Sequence, residues 1–139
     1  MIQLSAVDQW QAIEELVNNL VTTGKIEPEH RETVTVALRK RETSMSTGIG
    51  LGFALPHAST PLVRDVVFAV GCSERGVEFA APDGEPVHTV VLFLVPAGNS
   101  VKHLNTLANI AKAVQKPYFL QALKDAKGDE EVMRLLGQA

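Results

Sequence analysis

The segment from Val87 to Val95 places the tightest limits on how this chain can fold. In its second half Val91, Phe93 and Val95 alternate with Val90, Leu92 and Leu94, so a strand here is apolar on both faces. Such a strand must be covered on both sides, which puts it at the centre of a sheet with helices packed above and below. The pure apolar run, Val90 to Val95, is far too short to span a bilayer, which takes about 20 apolar residues.

The flanking segments supply those helices. Between Asp8 and Thr22, the residues Trp10, Ile13, Leu16, Val17, Leu20 and Val21 fall on one stripe at helical spacing. Asp8 with Gln11 reads as a capping box, and Gly24 is placed to end the helix. Pro28 suits the first turn of a second helix running to about Lys40, marked by Val34, Ala37 and Leu38. From Arg41 to Thr60 the pattern breaks on Ser44, Ser46, Thr47, Gly48, Gly50 and Gly52. Phe53-Ala54-Leu55 is then a brief strand ending in a turn at Pro56-His57, and Val63 to Val70 is a further strand. Pro82-Asp83-Gly84-Glu85-Pro86 marks the turn before the central strand.

The last third reads as helical. Ser100 caps a segment carrying Val101, Leu104, Leu107, Ala108, Ala111 and Val114; Pro117 opens another through about Ala126; Asp129 caps a last one with Val132, Leu135 and Leu136. The expected fold is a single α/β domain over residues 1–139, a sandwich with a mixed central β-sheet flanked by helices. A length of 139 residues suits one domain, and 45% hydrophobic with 21% charged residues excludes wholesale disorder.

Charge and cysteine content narrow the function. Thirteen basic against 16 acidic residues, net −3, leave no basic stripe for nucleic acid. The single cysteine, Cys72, cannot form an internal disulfide, which points to a reducing compartment. Asp8, Glu14 and Glu15 stand where a secretory leader would be basic and then apolar. A cytoplasmic protein without a membrane segment is expected.

Four histidines carry the candidate chemistry. His30, among Glu29, Arg31 and Glu32, reads as part of a solvated face, and His88, opening the central strand, as a buried or edge-hydrogen-bonded imidazole. His103 lies roughly 80° from the centre of its helix's apolar stripe, at the rim of the buried face. His57 follows a strand, a rigid proline and a glycine-rich approach, so its ring is presented on a turn at a sheet edge. The histidines lack His-x-x-x-His spacing and there is no Cys-x-x-Cys, so no metal site is expected. The glycines at 48, 50 and 52 are not followed by Gly-Lys-Ser/Thr, so a Walker-type nucleotide loop is absent and no cofactor is called for. Cys72, at the end of a strand, reads as a small buried hydrophobe and not a nucleophile.

Arg41-Glu42-x(6)-Gly48-Ile49-Gly50-x-Gly52-Phe53-Ala54-Leu55-Pro56-His57-Ala58 resembles the phosphorylation site of the enzyme IIA domains of the bacterial phosphoenolpyruvate-dependent phosphotransferase system, of the fructose/mannitol type that includes the nitrogen-regulatory IIA proteins. Gly76-Val77-Glu78-Phe79, Asp83-Gly84-Glu85-Pro86-Val87 and His103-Leu104-x-x-Leu107-Ala108 resemble that family's downstream blocks. The similarity runs from the first helix to Leu136.

The resemblance implies that His57 accepts a phosphoryl group, through Nε2, from a phosphohistidine on HPr or its nitrogen-branch counterpart. It places the family's active-site arginine on Arg41 and its second active-site histidine on His103. The implied acceptor is either a regulated target protein or a IIB domain whose cysteine passes the group on to sugar. Arg41 offers a planar fork for phosphoryl oxygens, and the Gly48–Gly52 amides offer further donors. Gly52, Phe53, Val63 and Leu104 are expected to form an apolar docking rim. Departures from the family pattern at Leu51, Ser59 and Thr60 fall around the mouth and bear on donor and acceptor preference.

Overall fold

The computed structural model describes residues 2–44, 46, 48–50, 52–98, 109, 112, 116–126 and 128–137. The elements follow the order β1 (Ile2–Gln3), α1 (Gln9–Thr22), a 3₁₀ turn (Pro28–His30), α2 (Arg31–Ser44), β2 (Gly48–Gly50), β3 (Phe53–Ala54), β4 (His57–Thr60), β5 (Val67–Val77), β6 (Val87–Pro96), α3 (Pro117–Asp125) and α4 (Asp129–Gly137). The expected helix from Ser100 to Val114 falls almost wholly outside the described residues; Asn109 and Lys112 are helical.

The described strands form one mixed sheet in the order β1-β5-β6-β3-β2, with β4 also on β6. β6 is its centre. It pairs antiparallel with β5 on one edge and, on the other, parallel with β3 and then β4. The register carries through the gap between those two short strands: Ala54 faces Val90 and His57 faces Phe93. β3 and β4 are therefore one line of chain interrupted at Leu55-Pro56. Proline has no N–H to give to the ladder, yet the Pro56 carbonyl still accepts from the Phe93 amide at 2.9 Å. His57 thus opens a strand; the turn expected at Pro56-His57 is a proline interruption within a continuing extended segment.

β6 divides two apolar layers as its double-faced pattern requires. Val90, Leu92 and Leu94 join Ile13, Leu16, Val17 and Leu20 of α1 and Val34 and Leu38 of α2. Val91 and Phe93 join Phe53, Phe68, Phe119 and Val132 on the other face. Burial of these side chains is the main favourable contribution, at about 25 cal/mol per Å² of apolar surface removed from water.

Local chemistry sets the helix ends. Asp8 caps α1, its Oδ1 accepting from the Gln11 amide at 2.9 Å. Gln11 reaches back to the Val7 amide at 3.0 Å, one residue before the cap. Gly24 follows with φ +78°, the left-handed conformation that costs glycine little. The proline-led start of α2 is a 3₁₀ turn, and the helix runs on past Lys40 to Ser44. Thr43 and Ser44 hydroxyls bond back to the carbonyls of Arg39 and Lys40 at 2.8 and 3.2 Å. Those bonds satisfy the helix end and bring Arg41 and Glu42 inside the last turns of α2.

Candidate functional site

β4 begins with His57, and α2 packs against that strand. Ala58 points into the layer shared with α1 and α2, so alternation along β4 turns His57 to the opposite face. The ring is half-buried. Its Nδ1 lies 2.8 Å from the carbonyl oxygen of Leu55. A carbonyl can only accept, so in the neutral ring Nδ1 carries the proton and Nε2 keeps its lone pair.

The surroundings hold the imidazole below its ordinary pKa of 6.5. Burial is the largest cause, because it penalises the charged form; the Leu55 carbonyl opposes it, the Arg41 guanidinium adds to the lowering, and the Glu42 carboxylate opposes again. The ring is consequently held in its neutral, nucleophilic form near neutral pH. Of the site residues expected from the sequence, His57 and Arg41 come within electrostatic reach of one another. His103 lies outside the described residues.

Glu42 was not singled out as a site residue by the sequence reading. It is 3% exposed, a buried charged group among the described residues. The signal is visible in hindsight: Val34, Leu38 and Glu42 recur every four residues on the buried side of α2, so a carboxylate sits on an apolar stripe.

The glycine-rich approach is a hairpin edge in which β2 pairs with β3. Gly50 and Gly52 both take φ +84°. A side chain at Gly50 would meet the Asp83 carboxylate at 3.3 Å, and one at Gly48 would meet Ala81 at 3.1 Å. The Ser46 hydroxyl donates to the Phe79 carbonyl, fastening the same loop. Gly52 anchors the other side, its carbonyl accepting from the amides of His88 and Thr89 at 2.9 and 3.0 Å. The stretch therefore fixes where the β3–β4 line starts.

Two expected rim residues turn out to be core. Phe53 is 1% exposed, packed in the layer with Phe68 and Val91, and Val63 is 7% exposed, packed in the layer with α1 and α2; Gly52 remains half-buried, and Leu104 lies outside the described residues. His88 is exposed, with Nδ1 2.8 Å from the Ser73 carbonyl, and His30 is half-buried in the 3₁₀ turn. Cys72 sits half-buried inside β5 and does not end it, since the strand continues to Val77. Among the described residues no group of three or more His, Cys, Asp or Glu side chains is gathered for a metal. No helix among them is long and apolar enough to cross a membrane.

Residues 1–139 match the family described as "Phosphoenolpyruvate-dependent sugar phosphotransferase system, EIIA 2". The chain belongs to that family. Its similarity to the fructose-specific EIIABC component of Bacillus subtilis is 28% identity over 137 residues, 99% of this chain and 21% of that protein. The EIIA chain thus spans about a fifth of that relative's length. A nitrogen regulatory protein of Klebsiella oxytoca is 36% identical over 111 residues, 78% of this chain and 67% of that one. Among solved structures, the nitrogen regulatory protein IIA-Ntr of Neisseria meningitidis superposes with a TM-score of 0.80 at 29% identity, covering 97% of this chain and 92% of that one. The fold is accordingly that of the IIA proteins, a mixed sheet with helices in a single domain, and a phosphotransfer component is the activity class the family carries.

Proposed function

We propose that this EIIA chain is a cytoplasmic phosphocarrier that accepts a phosphoryl group on His57, with Arg41 and His103 as its other catalytic residues. The observation that carries the reading is the Nδ1–Leu55 contact, which leaves Nε2 as the nucleophile of a ring kept neutral by burial. The donor is a phosphohistidine on HPr or on its nitrogen-branch counterpart. Phosphoryl transfer asks a protein chiefly for alignment and for positive charge near the transferred oxygens. Arg41 supplies that charge as a planar donor.

In this reading the chain works as a nitrogen-type regulatory IIA protein, whose phosphorylation state selects a target protein. The 36% identity to a nitrogen regulatory protein and the 0.80 TM-score to a IIA-Ntr structure favour it. A phosphoryl group adds nearly two negative charges and several acceptor oxygens, enough to change a docking surface. The second reading is a sugar-transport IIA that passes the group to a IIB cysteine; the match along 99% of the chain to a fructose-specific component favours that one.

The two readings separate in one reconstitution. The chain is charged from phosphoenolpyruvate through enzyme I and HPr, or through the nitrogen-branch pair, and then offered a fructose-type IIB domain. The regulatory reading expects faster charging by the nitrogen-branch donor and retention of phosphate when IIB is added. Preferential charging by HPr with rapid loss to the IIB cysteine establishes the transport reading in its place.

A further inference from the structure

Two of the departures from the family pattern, Ser59 and Thr60, follow His57 along β4, and the strand turns them opposite ways. Burial alternates along it: His57 is half-buried, Ala58 buried, Ser59 exposed and Thr60 buried again. Main-chain bonds hold that alternation at both ends, from the Phe93 amide to the Pro56 carbonyl at 2.9 Å and from the Ala97 amide to the Thr60 carbonyl at 3.1 Å. Thr60 is engaged inside, its Oγ1 accepting from the Leu62 amide at 3.2 Å. Ser59 shares the face of His57, about 6.5 Å further along the strand. We propose that the Ser59 hydroxyl binds the phosphoryl group carried on Nε2 of His57, donating a hydrogen bond to one of its oxygens. The proposal rests on the reading of His57 as the acceptor.

The orientation of the ring favours this partner. Nδ1 is drawn back toward Leu55 by the 2.8 Å contact with its carbonyl. Nδ1 and Nε2 belong to opposite edges of an imidazole, so the edge carrying Nε2 is turned away from Leu55, in the direction in which the chain continues to Ser59. A phosphoryl group there places its oxygens beyond the ring, over the next position of the same face. The strands around that position are otherwise apolar: β6 sets Phe93 beside His57 and Val95 beside Ser59, and β5 sets Phe68 beside Phe93. All three are buried. Ser59 is thus the hydroxyl that the sheet holds next to the acceptor.

The step asks no more of Ser59 than a hydrogen bond. The Nε2 lone pair forms the new N–P bond while the donor's N–P bond breaks, and the broken bond's electron pair returns to the donor nitrogen. The proton on His57 Nδ1 stays on the ring, and the Ser59 proton stays on Oγ. A hydroxyl donating to a charged oxygen makes a shorter and stronger bond than one donating to a neutral acceptor. Because the hydroxyl hydrogen rotates, it follows those oxygens as the group arrives and leaves.

The test compares wild-type protein with Ser59→Ala and Ser59→Thr. Ser59 is exposed, so removing its hydroxyl leaves the core packing untouched. Each protein is brought to equilibrium with a phosphohistidine donor protein, and ³¹P NMR reads both the phosphorylated fraction and the phosphohistidine resonance. In Ser59→Ala the equilibrium constant for transfer to His57 falls by about tenfold and the ³¹P resonance moves. The NMR titration midpoint of unphosphorylated His57 stays at its wild-type value, and Ser59→Thr, which keeps a hydroxyl, restores the equilibrium. Phosphate on His57 with the equilibrium or the ³¹P resonance unmoved in Ser59→Ala overturns this proposal alone. A loss that comes with a shifted midpoint, or that Ser59→Thr does not restore, is a packing effect and overturns it too. No phosphate on wild-type His57 overturns the acceptor reading and this proposal with it.

Discussion

The His57 imidazole is tied to the backbone of Leu55, two residues earlier, by a 2.8 Å contact at Nδ1. Both ends of this bond sit on the same short line of chain, on either side of Pro56. Proline restricts the residues around it, so the acceptor carbonyl and the ring are held relative to one another without a contribution from a distant element. The tautomer is thereby set, and the nitrogen that keeps its lone pair is Nε2.

Acid should weaken the fold through this residue. The folded ring has a pKa below 6.5, so as pH falls the unfolded chain takes up the proton first. The stability from keeping His57 neutral is complete above 6.5 and is lost as pH drops through the lower, folded value. Urea unfolding of wild-type and His57→Gln at about pH 8 and about pH 5 isolates the effect, because other groups cancel in the difference. Wild-type stability relative to His57→Gln should be smaller at the acid pH. An equal or larger advantage in acid contradicts the burial account.

Replacing Arg41 should move rate and basicity in opposite directions. Arg41→Gln removes a positive neighbour, so the His57 midpoint rises. It also removes a charged donor from the phosphoryl oxygens, slowing phosphorylation by about 10²-fold. Rapid-quench phosphorylation and NMR titration on the same variant provide both numbers. A rate within about twofold of wild type would remove Arg41 from the chemistry.

The packing of the first strand offers a test independent of function. A side chain at Gly71 of β5 would lie 2.7 Å from the Leu4 Cγ atom, while Leu4 itself is buried. Gly71→Ala should cost about 1–3 kcal/mol through overpacking, and Leu4→Ala about 2–5 kcal/mol through the cavity it leaves. In the double variant the new methyl enters space that Leu4 vacated, so the combined loss is smaller than the sum. Additive losses in denaturant unfolding would show that the two sites do not share that space.

Much of this architecture can be read along the chain because single residues act locally. The stripe of α1, its Asp8 cap and the two-faced β6 each follow from nearest-neighbour spacing, and each sits where the pattern places it. The differences arise where long-range pairing decides. His57 reads as a turn residue from Pro56 and the glycines, yet pairing with Phe93 draws it into β4. The strand expected from Val63 begins at Val67 and runs on to Val77, past Gly76, whose φ of +94° marks an irregularity in the pairing with β6. Arg41 reads as lying just past the helix, yet α2 continues to Ser44, where hydroxyl bonds each spanning about one turn reach back to Arg39 and Lys40. For the site, His57 and Arg41 were legible through motif resemblance. The depth at which Glu42 is buried, by contrast, is something only packing reveals.

The central claim is that His57 takes the phosphoryl group at Nε2, and direct mapping tests it. The ¹⁵N-labelled protein is charged from phosphoenolpyruvate through its donor proteins, weighed intact beside a His57→Ala control, and examined by long-range ¹H–¹⁵N NMR. The account predicts a single acid-labile phosphoryl gain, absent from the control, with phosphorus coupling at Nε2 of His57 and the proton retained at Nδ1. Phosphate on the control, on another residue, or on Nδ1 of His57 would contradict it.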